Sequence, residues 1–134
     1  MDDRILVVDD NQDVADALVR LIKALGCEAT ACYSGKEAAD LAAVVLPDMA
    51  IIDLAMPEMD GYETMQLIRQ RCIGTHPILV ALTGFGEVHR QQRAFENGFD
   101  FHVVKPMCLE TLKELLLLLD PAASDLDSGS IQTT

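Results

Sequence analysis

Apolar and polar positions along the chain fall into five repeats of one pattern: a short apolar run, a polar break, then apolar residues at helical spacing. Ile5-Leu6-Val7-Val8, entered from Arg4, contains no polar residue and stops at Asp9-Asp10, as a strand covered on both faces would. Val14, Leu18, Leu21, Ile22 and Leu25 then recur at helical spacing, and Gly26 ends the helix. Residues 27–33 predict a second strand, smaller and less apolar, suited to a sheet edge. Ser34-Gly35-Lys36-Glu37 reads as a capping box opening an Ala-rich helix that runs to Leu46, before Pro47. Met49-Ala50-Ile51-Ile52 is a third strand ending on Asp53. Asp60-Gly61-Tyr62-Glu63 then starts a helix carrying Met65, Leu67, Ile68 and Cys72. Residues 77–82 predict a fourth strand ending on Thr83, and a polar helix over 87–96 follows, closed by Asn97-Gly98. Residues 99–104 are the fifth strand, ending on Lys105-Pro106, and the last helix spans about 108–119. Its Leu109, Leu112, Leu115, Leu116 and Leu119 form one stripe predicted to be core. Leu118 lies off that stripe and Leu117 at its margin, positions suited to contact with another domain or a second copy.

Strict strand–helix alternation predicts an α/β domain with a parallel sheet and helices on both faces. Residues 121–134 lose both periodicity and bulk and read as a flexible tail or linker, leaving 1–120 as the domain. A length of 134 residues, half of them hydrophobic, suits one compact domain with a single apolar core. The net charge of −12 makes nucleic acid and anionic membrane surfaces poor direct partners. No run has the roughly 18–20 apolar residues of a membrane span. Met1-Asp2-Asp3-Arg4 lacks the basic region of a secretory signal. Cys27, Cys32, Cys72 and Cys108 form no metal-like cluster and read as reduced thiols, so the expected location is cytoplasmic.

In open α/β sheets ligands bind beyond the carboxyl ends of the strands. The residues there are Asp9, Asp10, Asp53, Thr83 and Lys105. Each has an ordinary reading alone: a helix cap for Asp9 or Asp10, a turn for Thr83, a solvated charge for Lys105. Together, three acids after the most buried strands point to a common purpose. Two carboxylates about 5 Å apart repel by roughly 3 kcal/mol at an effective dielectric near 20. The cluster therefore calls for a cation or a raised pKa. An all-oxygen donor set selects a hard divalent ion such as Mg²⁺. One divalent ion and Lys105 balance three carboxylates, so the pocket can admit a phosphoryl group. Asp53, from a central strand and followed by a loop, is the best nucleophile for an acyl phosphate. Thr83 and Lys105 would hold the phosphoryl oxygens.

Four motifs, in order and at matching strand ends, carry a resemblance: Val7-Val8-Asp9-Asp10-Asn11, Asp53-Leu54-Ala55-Met56-Pro57-Glu58-Met59-Asp60-Gly61, Ala81-Leu82-Thr83-Gly84 and Val104-Lys105-Pro106. Over about residues 4–119 the chain resembles the receiver domain of bacterial two-component response regulators. The resemblance implies a flavodoxin-like (βα)5 fold with strand order 2-1-3-4-5. It further implies that a histidine kinase or histidine phosphotransfer protein phosphorylates Asp53. Mg²⁺ (or Mn²⁺) would be held directly by Asp10, through water by Asp9, and also by Asp53 and the Ala55 carbonyl. Thr83 would be the switch hydroxyl, Lys105 the phosphate-binding ammonium, and Lys105-Pro106 a cis bond. The family usually has an aromatic switch residue where His102 stands; its ring can still swing, or can serve as a pH-sensitive group or an ordinary strand residue. Ala55, Gly84 and Phe85 border the pocket and tune it, and the Phe85 ring is expected to hinder the attacking water.

The switched surface implied by the family is the helix at 87–96, the fifth strand and the last helix, a candidate for a homodimer or an intramolecular domain contact. The motifs around Thr83 and Lys105 look most like receivers at the C-terminal end of hybrid sensor histidine kinases, so a parent chain could be a kinase, although the domain itself is no independent enzyme. Two other readings compete. A flavodoxin-like cofactor module would place its phosphate where Asp9 and Asp10 repel it. A Mg²⁺-dependent phosphatase or phosphotransferase with an Asp nucleophile usually has a second acid at the position of Ala55.

Overall fold

The structure, a computed structural model, describes residues 4–56, 59–84 and 98–119. Chain order is β1 (Arg4–Val8), α1 (Gln12–Ala24), β2 (Glu28–Cys32), α2 (Gly35–Val45), β3 (Met49–Asp53), α3 (Gly61–Arg71), β4 (Ile78–Thr83), β5 (Phe101–Val104) and α4 (Leu109–Leu117). The five strands form one parallel sheet in the order β2-β1-β3-β4-β5, the flavodoxin-like arrangement. The weakly apolar β2 is at an edge, as its composition predicts. The helix expected over 87–96, Phe85, and the segment 121–134 lie outside the described residues.

Successive strand residues point to opposite faces, which explains the unbroken apolar runs. Ile5, Val7, Ile51 and Val80 pack with Ala15, Val19 and Ile22 of α1 and with Leu112 and Leu115 of α4. Leu6, Val8, Ile52 and Ala81 pack with Ala38 and Ala42 of α2 and with Tyr62, Met65 and Ile68 of α3. Both faces of the central strands are therefore dry, and the polar residues that end these strands share one rim.

The helical faces differ from expectation in detail. Val14 and Leu25 are exposed, whereas Ala15 and Val19 join the expected Ile22 at the core positions of α1. In α4, Leu109 is exposed, while Leu118 packs against the core; Leu117 is exposed. The α2 cap is half a capping box: Ser34 Oγ accepts from Glu37 N at 3.1 Å, but Glu37 Oε1 accepts from Tyr33 N, one residue before the cap. The complete box opens α3, where Asp60 and Glu63 each accept the other's backbone N–H.

Candidate functional site

Strand register builds the site as a staircase along the carboxyl rim. Val8 faces Ile52, Asp53 faces Leu82, and Thr83 faces Val104. One step beyond those pairs stand Asp9 and Lys105. The ladder continues past its last formal pairs: Asp9 N donates to Cys32 O at 3.0 Å, Leu54 N to Leu82 O at 3.0 Å, and Lys105 N to Thr83 O at 2.6 Å. The backbone under each side chain is thus held by the neighbouring strand. The Lys105–Pro106 peptide bond is cis.

Asp9, Asp10 and Asp53 each bring a carboxylate oxygen within 4.8 Å of the other two. Asp9 and Asp53 are buried and Asp10 is exposed. Lys105 Nζ lies 3.0 Å from Asp53 Oδ1 and 3.7 Å from Asp9 Oδ2. Asp53 Oδ1 also accepts from Ala55 N at 3.1 Å, and Asp9 Oδ1 from Asn11 N at 2.9 Å. Asp9 Oδ2 is buried and, among the described residues, accepts no hydrogen bond. An unsatisfied carboxylate oxygen in a cluster of three acids is a free-energy cost that a cation removes. The donor set is all oxygen, so the residues fit a hard divalent ion. Burial raises the Asp9 carboxyl above the ordinary carboxylate value. The Asn11 hydrogen bond opposes this, the Asp53 and Asp10 charges reinforce it, and Lys105 offsets part of it. Burial works to lower the Lys105 ammonium, but the Asp53 hydrogen bond and the charges of Asp53, Asp9 and Asp10 prevail and raise it.

Thr83 is buried at the end of β4, and Gly84 after it is half-buried. His102 is buried on β5 opposite Ala81, on the sheet face away from Val103. Burial lowers its pKa. Beside the acids opens a cavity of about 580 Å³ whose apolar wall is formed by Val14, Leu18 and Leu21 of α1 with Pro106 and Met107.

Three contributors carried no role in the sequence reading. Asn11 both caps α1, its Oδ1 accepting from Val14 N at 3.2 Å, and donates its N–H to Asp9. An Asn between an acid pair and a helical repeat is a cap signal that was available. Gly61 N donates to Leu54 O at 3.2 Å, and a Cβ on Gly61 would lie 2.6 Å from Asp53 O, so α3 begins against the backbone of the nucleophile strand. Tyr33 reaches α1, donating to Asp16 Oδ1 at 2.5 Å, a long-range pair with no local signature.

Comparison with known proteins is concordant. The model of the response regulator receiver domain matches residues 5–117. The chain is 37% identical over 112 residues to the response regulator MprA of Mycobacterium tuberculosis, covering 81% of this chain and 46% of that protein. It is 36% identical over 103 residues to the 14.6 kDa protein of the sodA1 3′ region of Leptolyngbya boryana, covering 77% of this chain and 79% of that protein. The chain thus spans about half the length of the MprA relative. The CheY-like receiver domain from Methylobacillus flagellatus superposes with a TM-score of 0.81 at 27% identity, covering 90% of this chain and 100% of that one. The chemotaxis protein CheY4 of Vibrio cholerae gives 0.77 at 26% identity, covering 87% and 97%.

Proposed function

Because the chain belongs to the receiver-domain family of response regulators, we propose that Asp53 is its phosphoacceptor. The observation that carries the assignment is the contact pattern of its carboxylate: both the Ala55 N–H and the Lys105 ammonium fall on Oδ1. Oδ2, outside these two contacts, is the attacking oxygen. It displaces the donor imidazole nitrogen from phosphorus, and the freed imidazole takes up a proton. Lys105 then meets the transferred oxygens as a cation held on the rim by its backbone bond to Thr83, and the Thr83 hydroxyl is the group drawn toward the new charge. The acyl phosphate carries about −1.5 to −2 charge where the carboxylate carried −1, spread over three new oxygens, and this is what biases that hydroxyl.

Mg²⁺ or Mn²⁺ would be held by Asp10, Asp9, Asp53 and the Ala55 carbonyl, and when bound supplies positive charge against the incoming oxygens. The phosphodonor is a histidine kinase or histidine phosphotransfer protein. Its surface would cover the apolar wall of Val14, Leu18 and Met107 beside the acids. Gly84 and Ala55 border the pocket and set the phosphoryl lifetime, and His102 takes part in the switch on β5. The readout surface is that of β5 and α4, through which a second copy or a neighbouring domain is contacted. The domain accepts a phosphoryl group rather than turning over a substrate, occupies residues 1–120, and works in the cytoplasm. Among the described residues no helix is long and apolar enough to cross a membrane.

Incubation with Mg²⁺ and acetyl phosphate, followed by intact-mass measurement, tests the assignment. Wild type gains one phosphoryl group and Asp53→Asn none. Equal uptake by the variant, or none by wild type, rejects Asp53 as acceptor.

A further inference from the structure

Beyond their apolar packing, the end of the edge strand and the first helix are joined by a side-chain hydrogen bond outside the site. The Tyr33 hydroxyl donates to Asp16 Oδ1 of α1 at 2.5 Å, while Tyr33 N donates to Glu37 Oε1 in the first turn of α2 at 2.8 Å. Tyr33 follows Cys32 directly, and Cys32 O accepts the Asp9 N–H. Asp9 is therefore pinned from two sides, through its backbone by β2 and through Oδ1 by Asn11. Asp10 is the single residue between Asp9 and Asn11, the cap of α1. Where Asp10 presents its carboxylate consequently depends on where α1 is seated relative to the end of β2. Asp16 lies about one helical turn inside α1, so the Tyr33–Asp16 bond fixes that seat close to the cap.

We infer that Tyr33 is a positioning residue for the acid cluster: through Asp16 it seats α1 and so sets the approach of Asp10 to Asp9 and Asp53. The inference rests on reading that cluster as a divalent-cation site. The alternative is a plain stabilising bond between β2 and α1, and the two separate experimentally. A stabilising bond changes how hard the protein is to unfold. A positioning bond changes how tightly the folded protein holds the ion.

Mg²⁺ alone is titrated into wild type, Tyr33→Phe and Asp16→Asn by calorimetry, at a temperature where circular dichroism finds all three folded. Groups bonded directly to a metal ligand typically carry 10–100-fold in affinity. Tyr33 acts further out, through Asp16 and the seat of α1, so Tyr33→Phe is expected to bind at least about threefold more weakly. Asp16→Asn keeps an acceptor oxygen for the Tyr33 hydroxyl and removes only a screened surface charge, so it stays within about twofold of wild type. Unchanged affinity in Tyr33→Phe, whatever its melting temperature, overturns the inference. So does an Asp16→Asn variant that loses as much as Tyr33→Phe, because the effect would then belong to the Asp16 charge. A wild type that takes up no Mg²⁺ removes the cation-site reading itself, and the inference with it.

Discussion

Lys105 neutralises one acid of the cluster well and a second poorly, with 3.0 Å to Asp53 against 3.7 Å to Asp9. The deficit therefore lies at Asp9, buried, short of one hydrogen bond and with its pKa raised by burial first and by Asp53 and Asp10 after it. Asp9→Asn removes that charge and keeps the Oδ1 acceptor for the Asn11 N–H. In chelator-treated buffer the variant is expected to be more stable than wild type by about 1 kcal/mol or more, given roughly 3 kcal/mol for like charges at such separations. Urea unfolding measures it, and a variant no more stable than wild type would remove the repulsion. His102 gives a second test, with the opposite dependence on proton concentration from a paired histidine. Burial lowers its folded pKa below the ordinary histidine value of 6.5, so between those two values the unfolded chain binds a proton that the folded chain does not. Its contribution is intact above about pH 6.5 and is lost as pH falls through that window. The urea midpoint of wild type should therefore drop more between pH 7.5 and pH 5.5 than that of His102→Phe. Parallel drops would contradict a neutral, buried His102.

The strands were legible because a segment dry on both faces must be continuously apolar, and each such run stops at a charge or hydroxyl on the carboxyl rim. Asp9, Asp53 and Thr83 end such runs, and they are recognisable by that position although their side chains are themselves buried. Helical faces were less legible. Spacing in α1 picks out Ile22, which is buried, but also Val14 and Leu25, which are exposed, while the buried Ala15 and Val19 fall outside that set: which of two adjoining stripes faces the sheet is decided by packing that spacing does not record. The same limit applies in α4, where Leu118, half-buried, packs against the core beyond the last regular turn and Leu109 is exposed. Close backbone contacts leave no periodic trace at all, and Gly61 is the clearest case. A methyl group there would meet Asp53 O at 2.6 Å and Leu54 Cα at 2.8 Å, both backbone atoms that cannot rotate away. Gly61→Ala should push the start of α3 off the end of β3, at a cost of about 1–3 kcal/mol, and slow phosphoryl uptake from acetyl phosphate by displacing the Asp53 carbonyl. Urea unfolding and single-turnover uptake check the two effects, and a variant as stable as wild type would show that α3 is not packed so closely.

At the scale of the whole molecule the net charge of −12 sets a background against which the ion must be distinguished. Any salt screens self-repulsion among surface acids and favours the compact state, so a rise in melting temperature on adding MgCl2 proves little by itself. A site-bound ion adds a separate contribution. An ion that binds only the folded chain stabilises it by about 2.7 kcal/mol at a concentration a hundredfold above its dissociation constant, and this grows with the logarithm of concentration rather than levelling off with screening. The two are separated by holding ionic strength constant and exchanging NaCl for MgCl2. Asp10 is the variant to pair with wild type, since it is the exposed member of the cluster and its loss leaves the buried Asp9, Asp53 and Lys105 contacts in place. Wild type should gain melting temperature logarithmically with Mg²⁺ at fixed ionic strength, and Asp10→Asn should gain little. An equal rise in both would place the ion in the general acidic atmosphere of the chain instead of among Asp9, Asp10 and Asp53.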